Sequence, residues 1–125
     1  MKLSNRQIGA VGVTRVASAL MRLGYSVLIP VEDYCGYDLV AEKRNRFIRI
    51  QVKTSERKDP TRNRYCFMTC RGAGEKAIYR GGLDAFILWG MEDDLFWVVN
   101  PSKCKTKSYK ATLKTGSSWR ILSDL

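Results

Sequence analysis

The sequence predicts an α/β (α+β) domain, with helices packed on a mixed β-sheet. Three patterns lead there. An amphipathic stripe opens the chain, an alternating hairpin fills the middle of its first half, and short apolar runs separated by turn residues follow. At 125 residues these make one domain, 1–125, large enough to bury a core without staples.

Ser4 followed by Gln7 matches a capping box, so a helix is expected to begin near residue 5. Ile8, Val16, Ala19, Leu20 and Leu23 fall on one helical face with small Gly12 between them, and Gly24 ends the helix. Tyr25 to Ile29 reads as a short buried strand stopped at Pro30, and Glu32 to Gly36 as a polar loop.

The hairpin carries the most chemistry. Two β-prone runs, Tyr37 to Ala41 and Phe47 to Val52, flank the turn-prone Lys43-Arg44-Asn45-Arg46. In the second run Ile48, Ile50 and Val52 are apolar while Arg49, Gln51 and Lys53 are polar, the period of a half-buried strand. Gln51 and Lys53 therefore leave the same face. Asp38 sits across the hairpin, an acid in a strand-like run that disfavours it. An alternating strand with charges toward water is common; what sets this one apart is that a carboxylate, an amide and an ammonium can converge.

Beyond it, Thr54 to Asn63 has no apolar period and contains Pro60, so a loop is expected. Arg64 to Thr69 should be a strand, Glu75 to Tyr79 a short helix or turn, and Phe86 to Trp89 a strand. Asp93-Asp94 turns the chain into a strand from Leu95 to Val99, ended by Asn100-Pro101. Phe86 to Val99 reads mostly as core, with a subunit interface as its other use. Residues 101–125 form a basic C-terminal segment too polar for a core strand, docked back through Trp119, Ile121 and Leu122.

Charge narrows the function. The net charge is +10, from 22 basic and 12 acidic side chains. Residues 1–42 hold four of each sign, residues 43–64 hold nine basic against two acidic, and residues 101–125 hold six against one. Such clustering suits a polyanion, nucleic acid above all. Histidine is absent, which excludes Ser-His-Asp and Cys-His catalysis and His-based nuclease or zinc-finger sites. Cys35, Cys66, Cys70 and Cys104 are expected as reduced thiols, their spacing being poor for a four-cysteine zinc site. With no signal peptide and no run of about 18 apolar residues, the chain reads as soluble and intracellular, with no membrane partner.

Asp38, followed after a hairpin by Gln51-Val52-Lys53, resembles the PD-(D/E)xK nuclease superfamily in the form where Gln replaces the acid of the second motif. The likeness extends to Gly9-x-x-Gly12, Gly24-Tyr25, Val27, Pro30, Tyr37-Asp38-Leu39, Ile50-Gln51-Val52-Lys53-Thr54 and Leu83-Asp84-Ala85-Phe86, roughly two thirds of the chain. The Gln-x-Lys form is most similar to bacterial intron-encoded homing endonucleases. One departure matters. Family members commonly carry Glu directly after the second glycine of the first helix, where this chain has Val13.

The resemblance implies a restriction-endonuclease-like core and a site-specific, metal-dependent endonuclease acting on double-stranded DNA. Its catalytic residues would be Asp38, Gln51 and Lys53. Asp38, the Gln51 side-chain oxygen and the Val52 carbonyl would hold Mg²⁺, with Mn²⁺ able to substitute, and no small-molecule cofactor is expected. Lys43, Arg44, Arg46, Ser55, Arg57, Lys58, Arg62, Lys103, Lys105, Lys107 and Lys110 are the candidate DNA contacts. One chain offers one site, so a homo-oligomer, dimer or tetramer, is expected for cutting both strands. A bacterial or phage-encoded protein working in the cytoplasm at the nucleoid would fit. Two other readings stand beside this one: a Holliday-junction resolvase of the same superfamily, and a nucleic-acid-binding module that Val13 has left without cleavage. A basic ribosome-associated protein would account for the charge but leaves Asp38, Gln51 and Lys53 unexplained.

Overall fold

The computed structural model describes residues 1–32, 36–69, 82–104 and 106–125. Helix α1 (Asn5–Arg22) is capped as its sequence dictates: the Ser4 hydroxyl accepts from Gln7 N–H and the Gln7 side chain accepts from Ser4 N–H. Gly24, at φ +93°, ends it in the left-handed region that glycine enters without strain. Gly12, Val16, Ala19 and Leu20 are its buried stripe. A Cβ at Gly12 would fall on Thr54 Oγ1, so only glycine lets the helix lie this close to the sheet.

Among the described residues seven strands follow: β1 (Ser26–Leu28), β2 (Leu39–Lys43), β3 (Arg46–Ser55), β4 (Arg64–Met68), β5 (Ala85–Gly90), β6 (Leu95–Val99) and β7 (Ser108–Thr112). Five form one mixed sheet in the order β1-β2-β3-β5-β6, in which only β3 and β5 run parallel. β4 and β7 make a separate antiparallel ribbon. The β2–β3 turn is a two-residue one with Arg44 and Asn45 at φ 54° and 63°, the twist-matching hairpin geometry.

Two apolar clusters sandwich the sheet. On one side Val16, Ala19 and Leu20 of α1 meet Leu39, Ala41, Ile48, Ile50, Val52, Ile87, Trp89 and Phe96, closed by Leu122 from a terminal 3₁₀ turn. On the other, Tyr65 and Phe67 of β4 and Ala111 of β7 cover Phe86, Leu88, Trp97 and Val99. Every residue of β5 is buried, so the stretch 86–99 is mostly core.

Three sequence expectations need correction. β1 is an edge strand with Ser26 and Leu28 exposed, because only β2 pairs with it. β3 runs on to Ser55, held past the expected loop start by pairing with Trp89 and Gly90 of β5. The C-terminal segment does contain a strand, β7; its Lys110 points outward while Ala111 and Tyr109 pack inward. The helix or turn expected at Glu75 to Tyr79 lies outside the described residues, as do Cys35 and Cys70. Cys66 is an exposed free thiol and Cys104 a buried one, whose burial pushes its thiol up from the ordinary value. Among the described residues no helix is long and apolar enough to cross a membrane.

Candidate active site

The site grows out of the strand alternation. Ile48, Ile50 and Val52 go to the α1 side, so Arg49, Gln51 and Lys53 must take the other. The parallel register sets Gln51 beside Phe86 and Lys53 beside Leu88, the face that the β4–β7 ribbon covers over β5 and β6. Asp38, just ahead of β2, arrives from the hairpin's other arm, its N–H donating to Ile50 O at 2.8 Å.

Asp38 is the centre of the cluster. Its Oδ2 accepts from Gln51 Nε2 at 2.9 Å and from Val52 N–H at 2.8 Å, and neither bond uses Oδ1. Burial pushes the Asp38 carboxyl above its ordinary value; the Val52 N–H and the positive Lys53 nearby pull it back without cancelling the shift. A half-buried carboxylate in that condition gains from an added cation.

The backbone adds a donor. In a strand the N–H and C=O of one residue point to the same side. Arg49 O and Ser55 O accept from Asp84 and Met91, toward β5, whereas Ile50 O accepts from Asp38, toward β2. Val52 has the parity of Ile50 and its N–H meets Asp38, so its carbonyl points to the Asp38 side, just ahead of the start of β2 at Leu39. One carboxylate, one main-chain carbonyl and, with its amide turned over, the Gln51 oxygen make a set of hard oxygen donors. Among the described residues there is no group of three Asp, Glu, Cys or His side chains able to hold a metal. The set present fits a Mg²⁺-like ion that keeps several waters, and does not fit a fully caged metal.

No acid comes from α1. Val13 is half-buried and packs against the α1-side cluster. Beside it, the Thr54 hydroxyl lodged against Gly12 is buried without a hydrogen-bond partner among the described residues. Of the other nearby acids, Glu32 is exposed, Glu42 accepts from Asn45 N–H in the hairpin turn, and Asp33 lies outside the described residues.

The candidate DNA contacts separate into groups. Lys43, Arg44 and Arg46 sit at the hairpin turn, where a strand's rise puts Arg46 roughly 23 Å from Lys53. Lys43 donates to Leu23 O at the end of α1 and lies over the Tyr25 ring; Arg46 donates to Leu125 O. Ser55 donates to Arg57 O, and Arg57 and Arg62 are exposed on the loop directly after β3. Lys58 is clamped: its ammonium bridges both oxygens of Asp93 at 3.0 and 3.1 Å and its N–H donates to Glu92. Lys103, Lys107 and Lys110 are exposed, and Lys105 is outside the described residues.

Two arrangements escaped the sequence reading. Arg49, on the face of Gln51, forms a two-pronged pair with Asp84 at 3.1 Å on each prong, which holds the Asp84 carboxyl below its ordinary value. The β5–β6 turn is a hub. Asp93 takes Lys58 and the Tyr65 hydroxyl (2.7 Å), and Asp94 takes Arg15 of α1 (2.9 Å) and the Trp89 indole N–H (2.7 Å). The adjacent acids Asp93-Asp94 marked only a turn in the sequence, since their basic partners lie 35 and 79 residues away.

Residues 3–118 match the model of a family described as PD-(D/E)XK endonuclease. The fold is similar to that of I-Ssp6803I, a bacterial homing endonuclease, with a TM-score of 0.77 at 18% identity over 98% of this chain and 93% of that one. It is also similar to Hjc, a Holliday junction resolvase from the hyperthermophilic archaeon Archaeoglobus fulgidus, with a TM-score of 0.53 at 12% identity over 88% and 98%. At such identities the likeness is one of fold. No curated protein matches the chain in sequence.

Proposed function

Because this chain belongs to the PD-(D/E)XK endonuclease family, we propose that it is a Mg²⁺-dependent endonuclease that hydrolyses phosphodiester bonds in double-stranded DNA at a specific site, in the manner of a homing enzyme. The observation that carries this is the double hydrogen bond onto Asp38 Oδ2, which gathers Asp38, Gln51 and Val52 at one point with Lys53 on the same face. The closer fold likeness to the homing endonuclease than to the resolvase supports the choice between them.

Asp38, the Val52 carbonyl and Gln51 would hold a divalent ion, whose positive charge would offset that of the phosphoryl oxygens and acidify a bound water. The residues do the rest. Asp38 and Gln51 orient each other through their hydrogen bond, and Gln51 would offer its oxygen to an ion only with its amide turned over and that donor contact given up. Lys53 aligns the attacking water and offsets the charge that builds on the phosphate as the new P–O bond forms and one ester bond breaks. The basic loop with Arg57 and Arg62 neutralises backbone phosphates beside the site. Cutting both strands calls for at least two copies of the chain.

Val13 favours a second reading, in which the chain binds DNA without cutting it, since α1 contributes no carboxylate. Incubating a mixed duplex library with Mg²⁺ and then Mn²⁺, for the chain as it stands and for Val13→Glu, separates the two. Cutting by the unaltered chain is the expected result. Cutting by the Glu variant alone would make this a silenced nuclease, and binding without cutting by either would leave the binding module.

A further inference from the structure

We infer that the outer face of the β4–β7 ribbon enters the major groove of the DNA and reads base edges there, an inference that rests on the DNA-directed reading above. The ribbon is two-faced by sequence. Tyr65, Phe67, Tyr109 and Ala111 alternate inward, while the cross-strand pairs Arg64–Thr112, Cys66–Lys110 and Met68–Ser108 face outward. None of those six is acidic. Cys66, Lys110 and Thr112 are exposed, and Met68 keeps 57% of its surface.

B-DNA's major groove admits a two-stranded ribbon, and the outward set matches what its base edges offer. Arg and Lys suit guanine O6 and N7, Ser and Thr suit either partner, and an apolar side chain suits the thymine methyl. Reading bases needs a rigid platform. The inner face provides one: Tyr65 and Phe67 are 0% and 1% exposed and pack edge-on against Trp97, each with ring centroids 5.7 Å away.

Position supports the same conclusion. The ribbon stands on the sheet face that carries Gln51 and Lys53, so a duplex laid on the site meets it. It is also continuous with the basic loop after β3: Asp59 bridges Arg64, and Leu113 N–H donates to Asn63 O at 3.1 Å. Phosphate contacts from Arg57 and Arg62 would set the register, and the ribbon would supply the sequence information that such contacts lack.

The test selects bound duplexes from a randomised pool in EDTA, so that no cleavage is required. The full chain is compared with Arg64→Gln/Lys110→Gln and with Lys2→Gln/Arg6→Gln, which removes the same charge from the α1 side. The ribbon variant is expected to flatten the enriched sequence and to weaken binding to the wild-type winner ~10-fold or more, with the melting temperature unchanged. The α1-side variant should keep the motif and lose little. An unchanged motif in the ribbon variant, equal losses in both variants, or a wild type that enriches no sequence would each overturn the inference. Plasmid cleavage by the wild type with Mg²⁺, run in parallel, tests the nuclease reading separately: a chain that binds and enriches but never cuts refutes that reading and leaves the ribbon result intact.

Discussion

β5 and β6 are covered on both faces, by α1 and the terminal 3₁₀ turn on one side and by the β4–β7 ribbon on the other. β2 and β3 belong to the same sheet, but among the described residues their apolar cover is α1 on one face; the other carries Asp38, Arg49, Gln51 and Lys53. The difference divides labour between stability and chemistry. In the covered half apolar side chains alternate to both sides, and the polar groups of Trp89, Trp97 and Tyr65 are hydrogen-bonded. In the half-covered region the alternation leaves room for a carboxylate whose burial works against its own charge. A site of that kind costs stability, and the doubly covered half offsets it.

The largest break in this division should come from the covered half. Phe67→Ala removes a ring that is 1% exposed and should destabilise the fold by ~3–5 kcal/mol in chemical denaturation. Cleavage per folded molecule should fall less than stability does, because Phe67 packs within the ribbon-side cluster, against Tyr65 and Trp97. Gly12→Ala should couple the two regions. Its methyl group meets Thr54, one residue past Lys53, so α1 or β3 must shift at about 1–3 kcal/mol by analogy with other overpacked contacts. Stability and cleavage should fall together in that variant, read by a melt and a plasmid assay on one preparation.

How far all this was legible in the sequence follows the same line. The capping box at Ser4 and Gln7, the hairpin turn at Arg44-Asn45 and the alternation through β3 are local codes, and each appears as written. The convergence of Asp38 and Gln51 was legible because a hairpin brings its own arms together. The β4–β7 pairing was not, since it joins segments some forty residues apart and nothing local names the partner strand. In β7 the period of two was present in Tyr109 and Ala111 but hidden by the lysines around it. Lys58 read as a DNA contact because its acid partner, Asp93, is 35 residues away.

The smallest effect concerns that hub and shows in pH dependence. The Tyr65 hydroxyl first, and Lys58 second, hold the Asp93 carboxyl below its ordinary value. Its contribution is therefore present above the unfolded carboxyl's range and lost as pH falls through the depressed folded value. Asp93→Asn should lower the denaturation midpoint near neutrality and bring the two proteins together in acid. A difference that stays constant across that range would assign the hub no role in acid stability.

Asp38 tests the central claim, that one buried carboxylate is kept for chemistry at the expense of the fold. Its pKa is raised, so the stability it permits is fully present below the unfolded carboxyl's pKa and is lost as pH rises through the folded value. The measurement is the melting temperature against pH, with Mg²⁺-dependent DNA cleavage at neutrality, for wild type and Asp38→Asn. The account requires the variant to be as stable as wild type or more so at pH 7, the gain disappearing in acid, and to have lost cleavage. A variant that is markedly less stable at pH 7, or one that still cuts at the wild-type rate, would contradict it.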